Sequence, residues 1–224
     1  MEYVELINRR EQETAARSIG TFPQETKLID SGLDLLLYAF ARLVDAGVAR
    51  SEAASIRASM HLQGRATSIL MALRWLATVG YLQEVLILER VVLEMIQRIE
   101  VYSQDETKAD AYLRDKKYMT PSDLRQTIAG EDEEYLERLR HLYTELSRFP
   151  HGKVIADASA DELLAPPPDK EVRMLLLTVS RLILKLLSQV SVVYRQACDL
   201  GQDWKTALAA WTLLWNQLTT ATNS

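Results

Sequence analysis

The sequence holds one cysteine, three histidines, six prolines and eight glycines in 224 residues. A lone Cys198 excludes an intrachain disulfide, and with it the small stapled folds of oxidising compartments. Scarce glycine and proline argue against a turn-rich β-sandwich, while 48% hydrophobic and 25% charged residues argue against disorder. Excess charge of either sign is small. With 26 basic and 31 acidic residues the net charge is −5, so any contact with phosphate needs a local basic patch. A Gly-rich phosphate loop, His-Glu-x-x-His and cysteine pairs are all missing, which removes those nucleotide and zinc signatures. The segment from Met1 to Glu5 has neither the basic nor the apolar region of a signal peptide, and a cytoplasmic location is expected.

What the sequence does have is helical periodicity. Residues 1–20 read as a charge-rich helical arm and 21–224 as one bundle domain. Thr21-Phe22-Pro23 breaks the first helix and opens the second, whose Leu33, Leu36, Leu37, Phe40, Leu43 and Val44 recur at helical spacing until Asp45-Ala46-Gly47. Ser51 is the expected N-cap of a long helix running to Val79, Gly80 breaks it, and another runs from Tyr81 to about Tyr102. Shorter helices are expected at 106–117 and 121–129. Glu131-Asp132-Glu133-Glu134 then opens a further helix where the macrodipole favours carboxylates. A loop over about 152–168 precedes a helix of some 30 residues to Leu200, and Gly201 separates off a last helix bearing Trp204, Leu208, Trp211 and Trp215 on one face. That face is expected to pack or to form a dimer seam. The stretch Val172–Tyr194 is apolar enough to be tested as a membrane span, but Arg173, Arg181 and Lys185 give it the narrow polar stripe of a central bundle helix. The expected class is all-α: an antiparallel bundle of long helices with short accessory helices.

Polar chemistry collects in two places. Arg90 and Glu94 stand one turn apart among aliphatic residues, where a guanidinium–carboxylate pair would shield both charges or open a polar pocket inside the bundle. The junction Tyr143–Gly152 carries Ser147 and His151 with Pro150 between them. Around it Arg138, Arg140, Arg148 and Lys153 form a local basic patch that can face an anion, RNA or the upstream carboxylates. Glu137, His141 and Glu145 share a helix face at metal-ligand spacing, which ion pairing explains more simply.

The segments Gly64-Arg65-Ala66, Leu88-Glu89-Arg90-Val91-Val92-Leu93-Glu94, Ala111-Tyr112-Leu113 and Tyr143-x-x-Leu146-Ser147-x-x-x-His151 together resemble a bacterial family of uncharacterised helical proteins. That family pairs an Arg-x-x-x-Glu helix with a later Tyr-x-x-Leu-Ser-x-x-x-His element and is distantly similar to the HEPN helical bundles. The resemblance spans residues 60–155 and implies that Arg90, Glu94, Ser147 and His151 converge. Active HEPN ribonucleases carry Arg and His separated by four to six residues. Here Arg148 and His151 are separated by two and Arg57 and His61 by three, so that mechanism does not carry over by motif.

The expected function is therefore a non-catalytic interaction or ligand-binding module, without cofactor and acting as a homodimer, with a protein partner and no membrane. A metal-independent ribonuclease of a defence system is the alternative, with His151 as acid or base and Arg90 or Arg148 on the phosphate. RNA as a partner has no support from net charge. A metalloprotein using Glu94, His141 and His151 is the third reading.

Overall fold

The computed structural model describes residues 2–114, 119–148 and 167–220, and among these the chain is all-helical. Helix α1 spans Glu2–Thr21, α2 Pro23–Asp45, α3 Ala54–Val79 and α4 Leu82–Tyr102. Two short helices follow, α5 at Glu106–Leu113 and α6 at Pro121–Ala129, then α7 at Glu133–Arg148. Helix α8 runs Asp169–Ala197 and α9 Gly201–Thr220, while a 3₁₀ turn at Val48–Arg50 joins α2 to α3.

The sequence explains where the helices stop. Pro23 sits in the first turn of α2, where its missing N–H costs nothing. Gly80 caps α3 with φ of +79°, and α4 begins two residues later, so α3 and α4 double back on each other as a hairpin. Thr120 and Asp123 form a reciprocal capping box on α6. Asp132 accepts the N–H of Tyr135 at 2.8 Å to start α7. The expected cap at Ser51 is displaced: the N-cap of α3 is Ala53, which offers no side-chain bond. Glu106 of α5 reaches across instead and accepts the N–H groups of Ala54 and of Ser55, the latter at 3.0 Å. A long-range carboxylate thus satisfies the donors that a local serine was expected to satisfy, a contact the local sequence does not reveal.

Helix α8 is the centre of the bundle, touching α2, α3, α4 and α9. Its Val172, Leu175, Leu176, Val179, Leu182, Ile183, Leu186, Leu187 and Val190 are all 0–1% exposed. Asp169–Val193 is long and apolar enough to cross a membrane by composition; half of its apolar window is buried against neighbouring helices, while Met174 and Val192 are exposed. The expected polar stripe pairs sideways: Arg173 donates to buried Glu25 of α2 and Arg181 to buried Glu89 of α4, each at 2.8 Å. The tryptophan face of α9 lies on α2, with the indole N–H of Trp204 on the Leu35 carbonyl at 3.2 Å and that of Trp211 on Leu28 at 2.7 Å. Both rings are buried inside the chain and are not available to a second copy. The second half of α1 also docks. Thr14, Ala15 and Ser18 are buried, Glu11 accepts the hydroxyl of Tyr81 at 2.6 Å, and Arg17 donates to the Pro167 carbonyl at 2.7 Å.

Candidate functional site

The pair singled out in the sequence sits on α4 as one rung of a ladder. Arg90 lies 3.2 Å from Glu94, and Arg98, one turn further, lies 3.5 Å from the same carboxylate. Arg98 also reaches the Met119 carbonyl at 3.5 Å. Helix α7 brings Tyr143 against this ladder. Its buried hydroxyl donates to Gln97 at 2.6 Å, while its ring lies under two guanidiniums, Arg125 of α6 at 4.6 Å and Arg90 at 5.7 Å. Burial, and then the charge of Glu94, push the Tyr143 phenol far above its ordinary value, so it remains a neutral donor. One carboxylate, three arginines and a phenol thus join α4, α6 and α7. Chemically this is a brace: the acid is held by two cations and the phenol has no tendency to ionise.

The other residues predicted for this site fall as follows. Ser147 and Arg148 end α7 one turn beyond Tyr143, but their side chains, like the whole of His151 and Lys153, lie outside the described residues. The meeting of His151 with the Arg90–Glu94 pair lies there too. Arg138 and Arg140 are exposed and pair with carboxylates of their own helix, Glu134 at 3.7 Å and Glu137 at 3.3 Å. Glu137 is thereby engaged, and among the described residues no three His, Cys, Asp or Glu side chains are grouped to hold a metal ion. Cys198 is half-buried against the core, and burial raises its thiol above the ordinary value.

A second place has the form of a ligand site. Helices α2, α3 and α5 and the 3₁₀ turn line an open cavity of about 660 Å³, within the range that holds small organic molecules, with His61, Arg65 and Ser68 exposed along it. Phe40 of α2 and Leu113 of α5 form its apolar wall, and α3 lines its other side with Met60 and, one helical turn apart, Arg57, His61 and Arg65. The ring of His61 is fixed by a 2.7 Å bond between its Nδ1 and the hydroxyl of buried Tyr112 on α5. When Tyr112 donates, Nε2 carries the imidazole proton and is left as a donor. Tyr112 is itself stacked at a tilt on Tyr102, with ring centroids 5.2 Å apart, so the position of His61 is set from the core outward. Gly64 allows the Phe40 ring close to α3, since a Cβ there would lie 3.0 Å from Phe40 Cε2. The Nε of Arg57 is buried and has no hydrogen-bond partner among the described residues.

Sequence reasoning considered Arg57 and His61 only as a failed nuclease spacing, and Tyr112 only within the family resemblance. The signal was nevertheless present: Arg57-x-x-x-His61-x-x-x-Arg65 places three nitrogen-bearing side chains on one stripe of a helix whose buried face carries Ala58, Leu62, Ala66 and Leu73. What the sequence withheld is that α5 supplies the facing wall. Comparison of the chain with protein-family models, curated proteins and solved structures finds no match.

Proposed function

We propose that this chain is a ligand-binding helical module, and that its ligand occupies the cavity between α2, α3 and α5. The observation that carries the reading is the cavity itself: an apolar wall opposite a row of convergent donors, one of them oriented by a buried tyrosine. The Arg90–Glu94–Tyr143 cluster has the character of a brace, since its carboxylate and phenol are already engaged by neighbouring side chains. The proposal is made for the single chain, because Trp204 and Trp211, which motivated a dimer, are buried against α2. The test is native mass spectrometry of gently purified protein together with a thermal-shift screen of small metabolites. Binding is expected in the wild type and lost in Ser68→Trp, which fills the cavity from its exposed rim. If every stabilising compound acts equally on both proteins, the cavity is not the site.

A second reading keeps the HEPN-like relation and the ribonuclease alternative. Its support is that Tyr143, from the later motif, packs over Arg90 from the earlier one, so the two motif-bearing helices are neighbours. Incubation of purified protein with labelled RNA decides it. Intact RNA is expected, and cleavage abolished by His151→Ala would put the ribonuclease reading first.

A further inference from the structure

The cavity's own donors indicate what kind of ligand it takes, and this step rests on the cavity being the ligand site. Arg57 lines the cavity, but its Nε, without a partner among the described residues, is closed to solvent, so a ligand in the cavity meets the outer nitrogens of its guanidinium. Arg57 and Arg65 take part in no salt bridge among the described residues, whereas Arg74, Arg90, Arg98, Arg173 and Arg181 are each paired with a carboxylate. The acid whose charge reaches Arg57 is Glu106, and its oxygens are taken by the N–H groups of Ala54 and Ser55 at the start of α3. The hydroxyl of Ser68 donates to the Gly64 carbonyl at 3.0 Å, so its proton is not offered to the cavity. The side of the cavity formed by α3 therefore presents two guanidiniums and an imidazole beside Met60, facing Phe40 of α2 and Leu113 of α5.

We infer that the cavity binds a small amphiphilic oxyanion: a carboxylate or phosphate monoester whose oxygens lie on Arg57 and Arg65 and whose apolar body lies on Phe40, Met60 and Leu113. Planar guanidinium forks match such oxyanions with two parallel bonds, which a neutral amide cannot reproduce. His61 adds a ring nitrogen at the same edge, positioned by Tyr112.

Isothermal titration calorimetry with a matched series tests this. Octanoate, octyl phosphate, octanamide and inorganic phosphate are each titrated into the full chain and into Arg57→Gln. Octanoate or octyl phosphate is expected to bind at least about tenfold more tightly than octanamide, and Arg57→Gln to erase that preference. Whichever of the two anions binds more tightly identifies the headgroup. Inorganic phosphate is expected to bind at least tenfold more weakly than octyl phosphate. If Arg57→Gln fails to fold, Arg65→Gln, altered at an exposed side chain, carries the same readout. Equal binding of acid and amide overturns the inference, and if both are lost in Ser68→Trp the cavity still stands as the ligand site. Inorganic phosphate matching octyl phosphate overturns the apolar half. No binding by any of the four overturns the inference outright, leaving the co-purified ligand to decide the broader reading.

Discussion

At the residue scale the informative groups are carboxylates whose environments pull in opposite directions. Glu89 is 2% exposed, and burial raises its pKa despite the opposing charge and hydrogen bond of Arg181. Glu106 is held below its ordinary value of 4.5, first by the hydroxyl of Ser55 and then by the backbone N–H groups of Ser55 and Ala54. The signs of their pH effects differ. The folded chain holds the Glu89 proton more tightly than the unfolded chain, so that contribution is present at low pH and is lost as pH rises through the folded pKa. Glu106 contributes above the unfolded carboxyl range and is lost as pH falls through its lowered folded pKa. Urea unfolding between pH 3 and 7 is expected to show Glu106→Gln losing less stability on acidification than the wild type; parallel curves would mean that the cap carries no charge effect. Arg181→Met leaves the Glu89 carboxylate buried without its cation. The expected loss is about 1–3 kcal/mol, below the roughly 3–5 of a fully buried pair, because the guanidinium is half in water. The same titration at pH 7 measures it, and adding Glu89→Gln to Arg181→Met is expected to recover part of the loss.

Between elements, two glycines set the distances at which helices meet. Gly32 of α2 lies where α8 and α9 converge, and a Cβ there would stand 2.6 Å from Ile183 Cγ2 and 2.8 Å from Trp211 Nε1. Both neighbours are buried, and the Trp211 indole is also tied to the Leu28 carbonyl, so neither can retreat cheaply. Gly32→Ala is expected to cost about 1–3 kcal/mol by overpacking. Calorimetric melting reads the loss, and the buried Trp211 is expected to report the shift by a change in fluorescence. An unchanged melting temperature would mean that α9 is not seated on α2 as described. Gly80 is constrained twice over, by its positive φ and by Pro167, whose Cγ would lie 2.1 Å from a Cβ. Gly80→Ala therefore combines about 1–2 kcal/mol of left-handed backbone strain with a clash against the residue to which Arg17 also bonds. Its expected cost exceeds that of Gly32→Ala in the same melting experiment.

Across the whole molecule, helix boundaries were legible where local chemistry writes them, at Pro23, Gly80, Thr120 with Asp123, and Gly201; the start of α3, expected at Ser51, and the end of α5, expected at 117, fall instead at Ala53 and Leu113. The central position of α8 was legible from its polar stripe. Contacts between distant segments were not. Nothing local tells that Glu106 caps α3, that Tyr112 orients His61, or that the tryptophans of α9 bond to carbonyls of α2. The candidate cavity was missed for this reason, since Tyr112 and Leu113 come from a helix about 50 residues away in sequence. The brace and the cavity also use different elements, α4, α6 and α7 against α2, α3 and α5, although α3 packs on α4 throughout the hairpin. Tyr143→Phe tests whether they act independently. It removes the 2.6 Å bond to Gln97 but keeps the ring beneath Arg90 and Arg125, so the expected loss is about 1 kcal/mol. Octanoate affinity at the cavity is expected to stay within about twofold of the wild type, because sites without shared partners are close to additive. A fall of tenfold or more at unchanged fold would mean that the brace sets the position of α3, and that the two clusters form one coupled unit.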